Sequence, residues 1–456
     1  MKYFKPLIGL EMHVELSTKS KMFCQCDAEW QKYKPNENTC PVCLGLPGAL
    51  PVPNKKAVEY TIRIAQALGC EINKKSHFDR KHYFYPDLPK GYQISQYDEP
   101  IGINGKVTVF VKNEKNEYIE KTFRIHRVHL EEDTGKLIHA GDDSVMDFNR
   151  SGVPLVEVVT EADFDSSDEV KAFLQEIHTI VRYLDVSTAD MEKGSMRLEP
   201  NISVREFEGE KEPEDWHKLP FPKYKVEVKN INSFNFVKKA VDFEVTRHIE
   251  MLNKGETPDQ ETRGWSEDKN ATFSQRSKED AHDYRYFPEP DVPPMEFDDE
   301  YISNVKKSLP ELPIDKVRRY AKNLSLKTAD AITITRDQSL AKYFENIILE
   351  VQAHSTKKEN PGQMIANAII NKRISTQLSF SDFAKKLMEM SKPKETDLGK
   401  LAKVIANVIS ANEKSVADYK SGKTNAVMFL VGQVMREMKG SADATTVKVE
   451  IEKAFK

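Results

Sequence analysis

Cysteine is scarce in this chain of 456 residues, and long apolar runs are missing. Four of the five cysteines fall between residues 24 and 43, which argues against a disulfide framework and favours a reducing compartment. No apolar run reaches the roughly 18 residues that a membrane span needs, and the first ten residues lack the apolar core of a secretion signal. We therefore expect a cytoplasmic protein without a membrane segment.

An excess of charge of one sign is also missing. The chain carries 68 Lys and Arg against 72 Asp and Glu, a net charge of -4. Contact with RNA would therefore need local basic patches. At about 150 residues per domain, the length predicts two to four domains.

Common signatures of nucleotide binding and nucleophilic catalysis are absent too. The sequence contains no GxxxxGK[ST] motif, no GxGxxG after a strand and no GxSxG elbow. If the chain handles ATP, it does so without a P-loop.

The pattern of apolar residues changes near residue 293. Before it, short alternating segments broken by Gly, Pro and Asn surround helical periodicity at 55–68, 167–183 and 236–252, which is typical of an α+β domain on a large, mainly antiparallel sheet. After it, amphipathic helices are predicted at 315–324, 339–353, 361–371, 379–390, 396–411 and 425–438. We predict domains at 1–292, 293–393 and 394–456, the last two all-helical.

The segment IGLEMHVEL, residues 8–16, alternates apolar and polar residues with the period of a strand. Its polar face carries Glu11, His13 and Glu15. Two carboxylates beside an imidazole are ligands of the kind that hold a divalent ion. A solvent-facing strand edge explains this segment equally well when it is taken alone.

Two further segments supply carboxylates. Glu157 lies in PLVEVVTE, where both faces are apolar, and a buried carboxylate needs a partner or a metal. Glu131 and Glu132 close the strand in RVHLEEDTGK, where a solvated hairpin end is the alternative. Together with Glu11 and His13 they form a set of hard ligands that suits Mg²⁺.

The four clustered cysteines form two close pairs. Cys24 and Cys26 give CxC, and after thirteen residues Cys40 and Cys43 give CPVC. Two such pairs let four thiolates converge on one zinc ion, whose closed coordination makes it structural. Unrelated buried or redox cysteines are the alternative.

Polar side chains also recur at strand spacing in MRLEPNISVR and VEVKNINSFN. These segments predict a face that binds a polar ligand or lines a conduit, or else a wet sheet face. The candidate residues are Arg197, Glu199, Asn201, Lys229, Asn230 and Asn232.

Aromatic and basic residues are mixed in residues 76–100 and 280–294. Tyr83 and Tyr85 could stack on bases, and Arg285 could contact a phosphate. Aromatic clusters are more often core or loop anchors, so this pattern alone does not decide for RNA.

Many of these motifs occur together, and in the same order, in one known family. IGLEMHVEL, the cysteine pairs, HLEEDTGK, GVPLVEVVTE, KGSMRLEPNISVR, VEVKNINSFN, DYRYFPEPD and the late DYKSGKTNAVMFLVGQVMREMKG resemble the GatB chains of the tRNA-dependent amidotransferases, GatCAB. The resemblance covers essentially the whole chain.

The resemblance implies an activity and partners. A family member binds glutamyl-tRNA(Gln) or aspartyl-tRNA(Asn), activates the side-chain carboxylate with ATP, and lets ammonia displace the phosphate. Ammonia comes from glutamine hydrolysed by the glutaminase chain GatA, and a third chain, GatC, clasps the pair into a heterotrimer. The family's cradle, helical and tail domains correspond to the three predicted here.

The resemblance also assigns residues. It places Mg²⁺ among Glu11, His13, Glu131, Glu132 and Glu157, with Glu131 or Glu132 as the base for ammonia. In the tail, the candidates for tRNA phosphates are Lys420, Lys423 and Arg436, for which a solvated surface is the alternative.

Two other functions are weighed against this one. A zinc-stabilised RNA-binding adaptor would carry the same acids for structure alone. A self-sufficient glutamine amidotransferase is disfavoured, because four cysteines are committed to metal and Cys70 lies in an apolar segment without an evident activating partner.

Overall fold

The computed structural model describes residues 2–141, 143–277, 284–354, 360–391, 398–421, 425–438 and 442–455. The chain forms two compact units, residues 1–344 and 345–456. Lys423 lies outside the described residues. In the described part of the chain, no helix has both the length and the apolar character to cross a membrane.

In the described ranges, the strands all lie in the first unit. They are β1 (Lys2–Glu15), β2 (Glu71–Ile72), β3 (Lys75–Ser76), β4 (Asp79–His82), β5 (Tyr92–Ser95), β6 (Gly102–Lys112), β7 (Tyr118–Glu132), β8 (Lys136–Ala140), β9 (Asp143–Asp147), β10 (Pro154–Thr160), β11 (Met196–Glu208), β12 (Val226–Lys229), β13 (Glu261–Ser266), β14 (Ala271–Ser277), β15 (Phe287–Pro288) and β16 (Met295–Glu296).

The helices dominate the later half of the chain. They are α1 (Lys55–Ala67), α2 (Ser167–Tyr183), α3 (Phe234–Asn253), α4 (Asp299–Lys307), α5 (Pro313–Asn323), α6 (Thr328–Thr335), α7 (Gln338–His354), α8 (Gly362–Ile370), α9 (Phe380–Ser391), α10 (Leu398–Ala411), α11 (Glu413–Lys420), α12 (Ala426–Glu437) and α13 (Ala444–Ala454).

A nine-stranded sheet organises the first unit, in the order β14-β13-β12-β11-β1-β10-β7-β6-β2. All its pairs are antiparallel except β12 with β13. β1 lies near the middle, between β10 and β11, and this position places His13 opposite Glu157 on one side and Arg197 on the other. The predicted α+β class with a large, mainly antiparallel sheet is confirmed.

One face of this sheet is covered by helices. Leu10, Met12 and Val14 of β1 point into the core and are at most 1% exposed, and α1, α2 and α3 pack on the sheet. Helix α2 begins where the Ser166 hydroxyl accepts a hydrogen bond from the Glu169 N–H, which satisfies a donor of the first turn. Because side chains alternate along each strand, the polar residues between these apolar ones share the opposite face.

The second unit has its own apolar core. Leu401 and Ile405 of α10 pack with Leu430 and Val434 of α12 and with Ile451 of α13. This spacing is the helical one expected for amphipathic helices that bury one face. The predicted domain boundaries near residues 293 and 394 stay predictions.

Candidate active site

Four ionisable side chains meet on the sheet face that the helices leave uncovered. His13 of β1, Glu157 of β10, and His129 and Glu131 of β7 come from three adjacent strands. Register places His13 opposite Glu157, and Glu157 opposite His129. Glu131 lies two residues beyond His129, so both point to the same face.

The distances show a compact arrangement. His13 Nε2 lies 3.5 Å from a Glu157 oxygen and 3.6 Å from a Glu131 oxygen. His129 Nε2 lies 3.1 Å from Glu157 Oε2 and 3.8 Å from Glu131 Oε2. The Ser95 hydroxyl also donates to Glu131 at 3.2 Å. One ligand atom each from His13, Glu131 and Glu157 lies within 4.8 Å of the other two, so these three could hold one metal ion.

The sequence analysis did not identify His129 as a site residue. It is 2% exposed, and it bridges both carboxylates from the side opposite His13. Its spacing of two residues from Glu131 in RVHLEEDTGK is the signal that could have identified it, because both residues share a strand face.

The pKa values in this cluster depend on one another. Burial alone would lower the pKa of His13, but the carboxylates of Glu157, Glu199 and Glu131 raise it to about 9. Burial would likewise lower the pKa of His129, and Glu157 and Glu131 raise it. Burial would raise the pKa of Glu157, but the two imidazoles hold it well below its ordinary value. The two imidazolium groups therefore stabilise Glu157 as a carboxylate.

Glu132 lies away from this cluster. Its Oε1 is 2.5 Å from Lys90 Nζ and accepts a hydrogen bond of 2.9 Å from the Ile94 N–H. Since neighbouring residues of a strand face opposite ways, Glu131 and Glu132 cannot both point at His13. The structure brings together Glu131, rather than Glu132, with His13 and Glu157.

Glu11 belongs to a second carboxylate group beside the first. Its ligand atom lies within 4.8 Å of those of Glu199 on β11 and Glu227 on β12. Asn201 donates to Glu11 at 3.0 Å, and Lys229 Nζ lies 3.0 Å from Glu199. Burial, and then repulsion from Glu157, Glu227 and Glu199, raise the pKa of Glu11. This concentration of negative charge favours a cation.

Arg197 forms an ion pair with Asp133, outside the His13 cluster. Its guanidinium donates to Asp133, which follows β7. Arg150 lies 3.6 Å from the same carboxylate. Burial, and then the Asp133 charge, raise the pKa of the adjacent Glu15 to about 8. This ion-pair network borders the His13 cluster along β1.

The predicted aromatic residues are divided between the site and the surface. Tyr83 packs edge-on against Tyr284, and its hydroxyl donates to Gln93 at 3.4 Å. Lys81 Nζ lies over both rings, 6.0 and 5.1 Å from their centroids, and the Glu131 carboxylate contributes to raising its pKa. Tyr85 is 51% exposed, and Arg285 is exposed as well.

The remaining candidates lie between two elements of the first unit or in the second unit. Asn230 and Asn232 are exposed in the short segment between β12 and α3. In the second unit, Arg436 is exposed on α12, and Lys420 is the last residue of α11. The predicted contact of these second-unit residues with RNA stays a prediction.

The four cysteines of the two pairs converge as predicted. One sulfur atom from each of Cys24, Cys26, Cys40 and Cys43 lies within 4.8 Å of the others. The Cys40 N–H donates to Cys43 Sγ at 3.1 Å, and Lys21 Nζ, which is fully buried, lies 3.7 Å from the same sulfur. Four sulfurs at this separation fit a tetrahedral metal such as zinc.

Two cavities adjoin these groups. A cavity of about 200 Å³ lies between the cysteine loop and β5, and Cys43, Lys90 and Glu132 line it. A groove of about 380 Å³ is lined by Gly9 and Glu11 of β1. Its other lining residues include Thr160, Asn201, Ser203, Phe221, Pro222, Lys223, Tyr224 and Lys225. The second is large enough for a small organic ligand.

Known proteins match this chain over almost its whole length. Residues 6–303 match the family described as the GatB/GatE catalytic domain, and residues 337–455 match the one described as the GatB domain. Three similar relatives are each named as the B subunit of aspartyl/glutamyl-tRNA(Asn/Gln) amidotransferase. The protein of Thermotoga sp. strain RQ2 is 42% identical over 96% of both chains. That of Persephonella marina is 42% identical over 99% of this chain and 100% of its own. That of Carboxydothermus hydrogenoformans is 40% identical over 98% of both.

Proposed function

The chain belongs to the GatB family of amidotransferase proteins, and from this premise we propose that it converts glutamyl-tRNA(Gln), aspartyl-tRNA(Asn) or both into the amide. The reaction has two steps. ATP phosphorylates the side-chain carboxylate of the tRNA-bound amino acid, and ammonia then displaces the phosphate. The observation that carries the proposal is the convergence of His13, Glu131 and Glu157 on the sheet face that the helices leave uncovered.

The donor set fits a hard divalent ion. Two carboxylate oxygens and one imidazole nitrogen lie within ligand-sharing distance, and carboxylates are the ligands that Mg²⁺ prefers. We assign Mg²⁺ to Glu131, Glu157 and the neutral imidazole of His13, in place of Glu132; binding the ion would release the proton that His13 otherwise shares with these carboxylates. When bound, Mg²⁺ would neutralise phosphate charge and help position the transferred phosphoryl group. His129 would hold the two carboxylates in place from the other side.

The groove beside Glu11 is the place we assign to ATP. Its volume of about 380 Å³ suits a nucleoside, and Lys223 and Lys225 on its wall supply positive charge. Glu11 lines this groove and lies within ligand-sharing distance of Glu199 and Glu227, and these carboxylates would repel phosphates unless a cation lies between them. Lys229 beside Glu199 reduces that repulsion, and Asn201 holds Glu11 in place.

Glu132 is the base we assign to ammonia. It lines the 200 Å³ cavity together with Lys90, one residue along the chain from Glu131. Because Glu132 points away from the His13 cluster, this role requires the acyl phosphate to reach the end of β7, where the Glu132 carboxylate would take the proton that ammonia loses as it attacks. In this assignment Glu131 serves the phosphorylation step and Glu132 serves the transfer of ammonia.

The family implies further parts of the assembly. We propose that GatA supplies the ammonia from glutamine and that GatC binds with it, in the cytoplasm. The cysteine site would hold a structural zinc that fixes the loop lining the 200 Å³ cavity. Arg436, Lys420 and Lys423 are proposed contacts to tRNA phosphates.

A zinc-stabilised adaptor without chemistry is the second candidate. An adaptor has no need for the buried His13, His129, Glu131 and Glu157, because apolar residues of similar volume often stabilise a fold as well as buried groups that only pair with one another. Perturbed pKa values clustered beside a groove are typical of catalytic sites.

Reconstitution tests the proposed function. We expect the purified chain, given ammonium, ATP, Mg²⁺ and charged tRNA, to form the amide, and to form none when glutamine replaces ammonium. Four of the five cysteines converge on one another, and burial raises the pKa of the Cys70 thiol to about 12, so among the described residues no cysteine is free to act as the thiolate that would hydrolyse glutamine. The measurement is amide formation on nuclease-released aminoacyl-adenosine. Turnover with glutamine by the chain alone, or amide formation without ATP, would contradict the proposal.

A further inference from the structure

A long connection covers one side of the groove beside Glu11. It runs from the end of β11 to the start of β12, residues 209–225, and we call it the strap. It contains one short 3₁₀ turn, Trp216–Lys218, and two exposed apolar side chains, Leu219 and Phe221. Its last five residues, 221–225, line the groove opposite Gly9 and Glu11. The position of the strap therefore decides the width of the groove.

One arginine binds the middle of the strap through its main chain. Arg205 of β11 donates from Nη1 to the Trp216 carbonyl at 3.0 Å, and from Nη2 to the carbonyls of Leu219, at 3.5 Å, and Pro220. The planar guanidinium presents several donors in a fixed fork, so one side chain can fix several carbonyls at once. The residues it holds come directly before Phe221, where the strap reaches the groove.

Two other contacts hold the strap before and after residues 219 and 220. Lys5 Nζ lies 4.6 Å from the Trp216 ring centroid and 3.2 Å from a Glu212 oxygen. The Tyr224 hydroxyl bonds to both the N–H and the carbonyl of Val204 at 3.1 Å. Arg205 is thus the anchor of the segment between them, which has no strand or helix of its own after Lys218.

Arg205 acts at a distance from the nucleotide groove. It lies four residues beyond Asn201 on β11, about 13 Å along the strand, and it is not among the groove-lining residues in the described part of the chain. Any effect of Arg205 on a bound nucleotide must therefore pass through the strap.

We propose that Arg205 is a positioning residue that holds the strap in the nucleotide-competent position. The inference rests on the proposed function, because it takes the groove beside Glu11 as the ATP site. The strap supplies the wall against which the nucleoside packs, and Arg205 keeps that wall in place before ATP arrives.

The test separates ATP binding from chemistry. Arg205→Gln and Arg205→Lys are measured in the full heterotrimeric complex by ammonium-dependent amidation. The apparent affinity for ATP falls in proportion to the fraction of molecules whose strap is in the competent position. If that fraction is about a tenth in Arg205→Gln, the KM for ATP rises about tenfold. We expect kcat at saturating ATP, and the KM for charged tRNA, to stay within twofold. Arg205→Lys should show a smaller rise than Arg205→Gln, because its ammonium keeps the positive charge and can still donate to part of the carbonyl set, although it lacks the planar fork of the guanidinium.

A second readout reports the strap directly. Trypsin should cut Arg205→Gln faster after Lys218 and Lys223, and ATP should restore protection. Arg318→Gln is the matched control, since Arg318 pairs with Glu120 and Asp315 on the surface. An unchanged KM for ATP in a folded Arg205→Gln complex, or a fall in kcat with KM unchanged, would overturn the inference. A wild-type complex without ATP-dependent amidation would overturn the proposed function instead.

Discussion

Glu157→Gln is expected to lower ammonium-dependent amide formation by on the order of 10³-fold while leaving tRNA binding within twofold. Among the described residues, Glu157 is the one carboxylate within 3.5 Å of both His13 and His129, and the register fixes it between β1 and β7. The amide keeps the size of the side chain but removes the negative charge that Mg²⁺ and both imidazoles require. The measurements are the initial rate of amide formation and tRNA affinity by filter binding.

Glu120→Gln is the control for this variant. Glu120 also lies on β7, but at its far end, where it pairs with Arg318 on the surface. This variant makes the same change in charge in the same sheet, and its rate should stay within twofold of wild type. A Glu157→Gln enzyme with nearly full activity would contradict the metal assignment. Loss of tRNA binding in parallel with activity would favour the adaptor.

Glu132→Gln is expected to separate the two chemical steps. The side chains of the His13 cluster are untouched, so charged tRNA should still stimulate ADP formation. Amide formation should fall by about 10²-fold or more, because general base catalysis contributes roughly 10²–10⁴. Glutamine can still accept the hydrogen bond from the Ile94 N–H, which preserves the local main chain. ADP release and amide formation are measured in the same reaction.

Glu131→Gln is the comparison for that experiment. Glu131 differs from Glu132 by one position and by the face of β7 to which it points. Its loss should abolish charged-tRNA-stimulated ADP formation as well as amide formation. If ADP and amide fall together in Glu132→Gln, or if Glu131→Gln keeps ADP formation, the division of roles between the two acids is wrong.

Much of the fold could be predicted from periodicity. Helix α2 has the bounds predicted, 167–183, because a Ser N-cap and an acidic first turn mark its beginning. Helices α4, α6, α11 and α13 were not predicted, and the first three have only nine, eight and eight residues, which offer too few turns for a clear period. The α+β class could be predicted because apolar residues recur every two residues in some segments, as in strands, and about every 3.6 residues in others, as in helices.

The alternation of side chains along a strand predicts which face of the sheet a residue occupies, but not which residues of neighbouring strands it contacts. It put Glu11 and His13 on one face of β1, and the apolar surroundings of Glu157 indicated a buried acid. Alternation could not decide whether Glu131 or Glu132 faces Glu157. That choice depends on the register between β7 and β10, which places Glu157 opposite His129 and Leu155 opposite Glu131. Non-local register of this kind is set by the whole sheet.

The strap shows the same limit. Arg205 follows Arg197, Glu199, Asn201 and Ser203 on one face of β11, so alternation alone would place it in the same polar site. The structure instead directs it to the carbonyls of residues 216, 219 and 220. A connection without regular secondary structure has no period from which that contact could be read.

The central claim is that His13, Glu131 and Glu157 hold Mg²⁺ beside the bound nucleotide. Anomalous diffraction from crystals of the heterotrimeric complex, grown with Mn²⁺ and a non-hydrolysable ATP analogue, tests it most directly. Manganese accepts the oxygen and nitrogen ligands proposed for Mg²⁺ and scatters strongly enough to be located. We expect a peak within coordination distance of His13, Glu131 and Glu157, with the nucleotide in the groove beside Glu11. A peak elsewhere, with those three side chains paired only to one another and the groove empty of nucleotide, would contradict the account.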